Sequence, residues 1–482
     1  MCTDARITPF MKQCFITFGV DLTVVCFGCT LGFPAILLPQ LREPVSPIHL
    51  TKEAESWTAS IFALGMLCGY FLVAPIMDRL GRKKAHCFVS IIFIIGWLTA
   101  AMAGEVTVLV ICRILQGIAG GLITPLATVL LAECSSPKNR GAFLATITLS
   151  QSIGILLVHS LGSVLSWQMT SLVCAFLPFA SLIMTVYTPE SPSWYLSTGK
   201  YDKFEEVFRW FRGNVEEEEL TSMLRSKLTT KKAEAEETDN TSDNCCGNLK
   251  DEVIKKEFYK PLIIMIHSSN IIQFAGGTIL ITYTTIIISI LLGPGVNFYL
   301  WTVFMDIIRL FSNMIAIFVF HKFKRRFMIF SSGGLCVLSH VAIACYLYGT
   351  SSGWLQKSSW VPILFLSLQL FSNAVGIVPL KSVIGGEVFP LRYRGIGGSI
   401  SSASGSTVMF ILLKTFPSLL DKVQLHGTYV LYGSIVLYHI LILCIMLPET
   451  KGRTLLQIEE DFKGKQPEEN PEDIVSTELH LK

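Results

Sequence analysis

The sequence predicts an all-α membrane protein: twelve transmembrane helices in two pseudo-symmetric six-helix bundles, with short cytoplasmic helices between them. Three observations carry that prediction. The 482 residues are 51% hydrophobic and only 16% charged, whereas a soluble globule carries about 25% charged residues. Twelve windows reach the roughly 20 apolar residues that a bilayer span needs. Three paired signals also recur in the same order along the chain. The basic turn Met77-Asp78-Arg79-Leu80-Gly81-Arg82-Lys83-Lys84 has a degraded echo at Lys322-Phe323-Lys324-Arg325-Arg326. Glu133 precedes Arg140-Gly141 as Glu387 precedes Arg394-Gly395, and Pro189-Glu190-Ser191 returns as Pro448-Glu449-Thr450. The chain reads as two copies of one unit.

In order, the spans cover about 13–39, 57–77, 85–103, 107–132, 142–165, 168–188, 261–288, 297–320, 327–349, 360–385, 396–415 and 427–447. An even count returns the chain to its starting side. Alternate loops hold Arg79, Arg82, Lys83, Lys84, Lys138, Arg140, Lys322, Lys324, Arg325, Arg326, Arg392 and Arg394. The opposite loops hold only Arg42, Lys52, Lys357 and Lys422. Lys and Arg resist translocation, so the basic loops and both termini are expected in the cytoplasm. The first apolar run is long enough to span, and no stretch before it reads as a cleaved signal peptide.

Residues 190–260 form a polar linker. It divides the chain into an amino-terminal bundle (1–189), the linker, a carboxy-terminal bundle (261–452) and a cytoplasmic tail (453–482). Trp194, Tyr195, Phe204, Val207, Phe208 and Phe211 recur at spacings near three and four, the mark of amphipathic helices lying on the cytoplasmic face. The Glu, Lys, Thr and Ser-rich run to Asn244 buries too little to fold and reads as mobile. It carries the sequon Asn240-Thr241-Ser242, expected unused, and the adjacent pair Cys245-Cys246, incidental or palmitoylated. Of the fourteen cysteines, Cys26, Cys68, Cys112, Cys174, Cys336 and Cys444 lie in apolar runs and read as small core hydrophobes.

Ionisable residues within spans cost several kcal/mol and face protein. Arg113, Gly117 and Gly121 fall four apart on one helix face, which suits either a close packing seam or a gating arginine. Asp306 and Arg309 stand three apart and can pair; alternatively Arg309 faces a central cavity and touches substrate. Asp21, Lys381 and Lys414 lie near span ends and are expected to snorkel. Pro125, Pro178, Pro379 and Gly276-Gly277 interrupt helical hydrogen bonding, which membranes tolerate where freed carbonyls face protein or water. His159, His267, His340 and His439 read as satisfied packing residues. No phosphate-binding loop, metal-spaced cluster or His-Glu-x-x-His is present, so neither enzyme chemistry nor a cofactor is expected. The net charge of +3 resides in loops and does not point to nucleic acid.

In these motifs the chain resembles a sugar porter of the major facilitator superfamily, and within it insect facilitated trehalose and hexose transporters. The resemblance rests on Asp78-Arg79-x-Gly81-Arg82-Lys83, Arg113-x3-Gly117, Glu133-x6-Arg140-Gly141, Pro189-Glu190-Ser191-Pro192 and Pro448-Glu449-Thr450-Lys451-Gly452. Glu387-x-Phe389-Pro390-x3-Arg394-Gly395 and Lys414-Thr415-Phe416-Pro417 extend it over essentially the whole chain. It implies the major facilitator fold and alternating access, with a gate of Asp78, Arg82, Arg113, Glu133, Arg140, Arg325, Glu387 and Arg394. Acid–base pairs among them would latch the cytoplasmic gate between the halves.

The substrate side departs from the family. Its Gln-Gln-Leu-Ser-Gly-Ile-Asn stands here as Ile272-Gln273-Phe274-Ala275-Gly276-Gly277-Thr278, while the following tyrosine is kept as Tyr283. Thr148 takes a common Gln position, with Gln151 one turn on. Arg309 takes an Asn position, and Lys381-Ser382 replaces a Pro-Trp pair. The implied substrate residues are therefore Thr148, Gln151, Gln273, Thr278, Tyr283, Arg309 and Ser382. Each lost hydrogen bond to substrate costs roughly 1 kcal/mol, so a hexose site would be weakened unless other groups compensate. Proton-coupled members carry an Asp in a Phe-Gly-Tyr-Asp run; here it reads Phe27-Gly28-Cys29-Thr30, which favours uniport. The expectation is a plasma-membrane sugar transporter for trehalose or hexose, whose partners are that small sugar and the bilayer. A solute-binding sensor without flux and a carrier of anionic solutes are the alternatives.

Overall fold

Within a bilayer every backbone N–H and C=O must find a partner inside the protein, so long apolar runs fold as helices. A computed structural model describes residues 8–44, 46, 48–213, 217, 219–225, 255–293, 295–389, 393–451, 453 and 455–463. The sequon at Asn240, Cys245-Cys246, Arg392, most of the stretch read as mobile and the tail beyond 463 lie outside the described residues. So do the side chains of His321 and Ser382. No strand occurs among the described residues.

The first six spans are Pro9–Leu41, Lys52–Leu80, Arg82–Ala101, Val106–Cys134, Pro137–Gly162 and Trp167–Tyr187. Side-chain oxygens start several spans, as helix caps require: Thr51 Oγ1 accepts from the Ala54 N–H at 3.2 Å and Ser166 Oγ from that of Met169 at 3.3 Å. The seventh span is broken into Lys256–Phe274, Ile279–Thr282 and Thr284–Leu292, and Phe298–Lys322 and Arg325–Ser351 are the eighth and ninth. The tenth runs Trp360–Ser372, a π turn Asn373–Ile377, then Val378–Val388. The stretch Arg394–Met446 is 53 helical residues interrupted at Gln424, where φ is 57°. Unbroken it would be about 80 Å long, far beyond a bilayer. Ser401 touches Ser269 and His439 touches His267, so both limbs flank one stretch of the seventh span. They are the eleventh and twelfth spans.

Glycine sets the closest helix approach. A Cβ on Gly117 would stand 2.2 Å from the Phe62 carbonyl, and one on Gly69 2.4 Å from that of Ile118. Gly65, Gly69, Gly117 and Gly121 thus weld the second and fourth spans, as small residues do in membranes. Arg113 lies at one end of this seam, buried. It donates to the Thr30 carbonyl at 2.8 Å and Gln116 Oε1 at 2.9 Å, with its guanidinium 4.6 Å from the Phe62 ring centroid. These contacts fit the packing seam and do not bear on a gating role.

At the basic end the internal repeat becomes three-dimensional. Glu190 Oε1 accepts from the Lys83 N–H at 2.8 Å, and Glu449 accepts from the Arg325 and Arg326 N–H groups at 3.0 and 3.2 Å. Each carboxylate thus sits at the N-terminus of a helix, the third or the ninth, where anions are favoured. Burial pushes the Glu449 carboxyl upward, but N–H groups of Lys451, Arg325 and Arg326 outweigh it and hold it below its ordinary range. Gly81 has φ +89°, and a Cβ there would meet Glu190 Oε2 at 2.3 Å; only glycine fits. The expected amphipathic helices are Pro192–Ser197 and Tyr201–Arg212. Phe204, Val207, Phe208 and Phe211 are buried, and the Phe211 carbonyl accepts from Gln13 Nε2 of the first span at 2.9 Å.

Candidate functional site

A cavity of about 210 Å³ lies between the first six spans and the last six. From the first set, Tyr70, Thr124, Thr148, Gln151 and Ser152 line it; from the second come Gln273, Thr278, Arg309, Asn313 and Asn373. Phe27, Leu31, Met66, Ile155, Ile272 and Met409 are among its apolar walls. Such a mixture, apolar surface with a few convergent amides and hydroxyls, is the usual make-up of a small-molecule site.

The elements that present these groups are the irregular ones. Gly276, with φ +94°, stops the helix of the seventh span beside Gln273 and Thr278. The Ala275 carbonyl freed there accepts from Gln369 Nε2 at 3.0 Å, and the same amide nitrogen donates to His340 Nε2 at 3.1 Å. That is the protein partner expected for a broken span. Thr278 Oγ1 donates to Gln273 Oε1 across the break. In the tenth span the π turn carries Asn373, whose Oδ1 is buried with no hydrogen-bond partner. Single π turns concentrate at functional sites.

Five expected substrate residues meet here: Thr148, Gln151, Gln273, Thr278 and Arg309. Tyr283 does not. Its hydroxyl donates to the Leu413 carbonyl at 3.0 Å, and its ring stacks on Phe416 at 4.8 Å between centroids. The kept tyrosine fastens the seventh span to the eleventh instead of facing the cavity. Ser382 falls among the undescribed side chains, and Lys381 is not among the lining residues. Asn313 and Asn373 were missed. Asn313 stands four residues after Arg309, a spacing that puts both on one helix face; Asn373 carries no comparable signal.

Arg309 fits both readings made of it. Its Nη1 donates to Asp306 Oδ1 at 2.7 Å, yet the residue lines the cavity and Nη2 is buried without a partner. Asp306 also faces His159 of the fifth span at 2.5 Å, so His159 is not a simple packing residue. Asn313 Nδ2 donates to Ser152 Oγ at 2.5 Å, a second tie between those spans.

Further ties close the end away from the basic loops. Thr285 Oγ1 donates to the Ala35 carbonyl at 2.8 Å, and Lys52 pairs with Asp421 at 2.9 Å. Lys414 reaches that end as expected: its Nζ donates to Ser56 Oγ at 2.9 Å and lies 4.0 Å from the Trp57 ring centroid. Asp21 does not reach a span end; it lies about 18 Å into its helix with Oδ1 buried.

At the basic end the acid–base pairs stay within each set of spans. Arg82 Nη2 donates to Glu133 Oε1 at 3.1 Å, with Ser191 Oγ on the other oxygen. Arg325 Nη2 donates to Glu387 Oε1 at 3.1 Å, with Thr450 Oγ1 on the other at 2.5 Å. Asp78, largely exposed, is 4.0 Å from Arg82. Arg394 donates to the Gly386 carbonyl at 2.6 Å, and Arg140 makes no ion pair among the described residues. Among the described residues neither carboxylate bridges to the other set, so the latch expected between halves is not formed through them in this arrangement.

The family described as sugar (and other) transporter matches residues 26–462. The chain is 25% identical over 458 residues to a facilitated trehalose transporter of Apis mellifera ligustica, with 94% of this chain and 89% of that one covered. It is 26% identical over 453 residues to that of Bombyx mori, covering 93% and 86%. A Drosophila yakuba transporter of the same name is longer, and the chain spans 52% of it at 26% identity. Among solved structures, the proton:xylose symporter XylE bound to 6-bromo-6-deoxy-D-glucose superposes with a TM-score of 0.74 at 20% identity, covering 94% of this chain and all of that one. Inward-open XylE from E. coli gives 0.73 at 19% identity, covering 94% and 99%. Those two likenesses establish the major facilitator fold.

Proposed function

Because the chain belongs to the sugar (and other) transporter family, we propose that it is a facilitative uniporter for a small sugar, trehalose or a hexose. It works by alternating access in the plasma membrane. Members of this family move solutes and are not enzymes. The observation that carries the reading is the polar cavity, lined by both sets of spans and closed at one end by contacts between them. Relatives that are facilitated trehalose transporters support trehalose as the first candidate. The lining amides and hydroxyls supply donors and acceptors that match sugar hydroxyls, and Asn313 and Asn373 compensate for the amides lost at Ile272 and Thr278.

Uniport draws support from Arg113, whose partners near the first span are the Thr30 carbonyl and neutral groups, with no carboxylate. With the basic loops in the cytoplasm, both termini are cytoplasmic and the arrangement described is inward-facing. The repeated Glu133 and Glu387 clusters brace the inner ends of the two bundles (1–189 and 261–452), which rock about the cavity.

Arg309 favours a second reading. A buried guanidinium with an unpartnered Nη2 at the cavity suits an anionic solute. Uptake of labelled trehalose, glucose and an organic anion into liposomes containing the purified chain decides between them. Saturable sugar uptake that only equilibrates, and persists with a protonophore, is expected. Anion uptake without sugar uptake overturns the sugar reading, and protonophore-sensitive accumulation overturns uniport.

A further inference from the structure

Three buried ionisable side chains meet where the fifth and eighth spans cross. His159 Nδ1 lies 2.5 Å from Asp306 Oδ2, and His159 Nε2 lies 3.1 Å from the Gly32 carbonyl oxygen. Asp306 Oδ1 accepts from Arg309 Nη1 at 2.7 Å. His159 and Asp306 are each 1% exposed, so water does not intervene as a third partner.

Both ring nitrogens therefore face oxygen. A neutral imidazole has one N–H donor, and an ionised carboxylate has none. The two contacts are both hydrogen bonds only when the site holds one proton more than that. Either the ring is imidazolium, or Asp306 is a carboxylic acid whose O–H donates to Nδ1. Without that proton a nitrogen lone pair would face either the Gly32 carbonyl or the carboxylate, depending on the tautomer, a contact between two acceptors in a dry site that costs free energy. Parting the spans removes the demand. Asp306 keeps Arg309 on its own helix, and a neutral His159 keeps its donor on Gly32.

We propose that His159 and Asp306 hold one bound proton between the two halves, and that its binding favours the arrangement closed at the end away from the basic loops. The proton is a gating ligand. It binds and leaves with closure of that end, while sugar moves down its own gradient. Away from the span ends, the charged groups on neighbouring spans are Asp21 on the first, Arg113 on the fourth and Lys381 on the tenth, and the first span also carries the thiols Cys26 and Cys29, the latter bonded to the Gly154 carbonyl of the fifth. None of them bonds to these three among the described residues. The consequence for flux rests on the alternating-access reading; the proton site itself rests on the hydrogen-bond geometry.

The test uses the variant Ala35→Cys, at a position 1% exposed on the closed interface, and follows its alkylation by a membrane-impermeant maleimide in liposomes. One linked proton shifts the open-to-closed ratio by up to about tenfold per pH unit. Reactivity is expected to fall with pH more steeply than ionisation of the introduced thiol alone requires. His159→Gln and Asp306→Asn keep hydrogen-bonding groups there without the titratable proton, and each is expected to reduce the dependence to the slope that thiol ionisation alone imposes. Should either double variant misfold, the pH dependence of sugar exchange in wild type and H159Q gives the same comparison. A profile without the second substitution that follows thiol ionisation alone, or H159Q tracking its parent, overturns the proton site and leaves facilitated transport standing. Loss of all sugar flux with the pH profile of Ala35→Cys alkylation intact overturns the transport reading and supports the proton site.

Discussion

Glu449 shows how one side chain ties stability to pH. Its pKa is held below the ordinary carboxylate value by backbone N–H donors that outweigh burial. A depressed folded-state pKa contributes stability above the unfolded value and loses it as pH falls through the folded one. Thermal unfolding of the purified wild type should therefore drop between neutral and strongly acidic pH by more than that of Glu449→Gln, which has no charge to lose. Equal drops would show that the helix N-terminus does not depend on this carboxylate. Tyr283 supplies a second test at this scale. Its hydroxyl donates to the Leu413 carbonyl, a bond whose net worth is about 1 kcal/mol. Tyr283→Phe keeps the ring on Phe416, so a modest fall in stability with an unchanged sugar KM is expected. A KM several-fold higher would return the residue to the substrate site.

Among elements, the second and fourth spans depend on glycine. Adding a Cβ at Gly117 requires backbone movement, because the Phe62 carbonyl stands 2.2 Å away. Overpacking of that kind typically costs about 1–3 kcal/mol. Gly117→Ala should lower the melting temperature in detergent, while Gly104→Ala, which meets nothing within 4 Å, should not. Equal melting temperatures would mean the seam is looser than described. Elements of this kind were the legible ones. Apolar length gave the spans, the duplicated Glu-x6-Arg pattern gave the repeat, and Gly276-Gly277 gave the break in the seventh span. The partners across the break and the π turn at Asn373 were not legible, because they depend on which helices meet. The same holds for His159 and Asp306, 147 residues apart in sequence: each alone is one polar residue in an apolar run, and only the crossing of two spans makes them a pair.

For the whole molecule, on the alternating-access reading proposed above, the equilibrium between two arrangements follows from the ties that one arrangement alone makes. The pair Lys52–Asp421 contributes little, since its side chains are 81% and 59% exposed and exposed ion pairs are worth about 0–1 kcal/mol. Lys414 weighs more, because its ammonium lies over the Trp57 ring and on Ser56 at once. A partly desolvated cation–π contact is worth about 1–2 kcal/mol. The contact joins the two halves, so Lys414→Met loses that free energy only where the end away from the basic loops is closed. The expected result is about a five- to thirty-fold shift of the equilibrium toward the open arrangement, from the same free energy expressed as a ratio. It should be read as faster maleimide alkylation in the Ala35→Cys background. Lys52→Met should shift it by much less. Removing Glu387 from its Arg325 and Thr450 partners acts within one half, so Glu387→Gln should lower thermal stability and leave that alkylation rate nearly unchanged. If Glu387→Gln raised the rate as far as Lys414→Met does, the inner cluster would be part of the gate itself, and its pairing within one half would describe only one stage of the cycle.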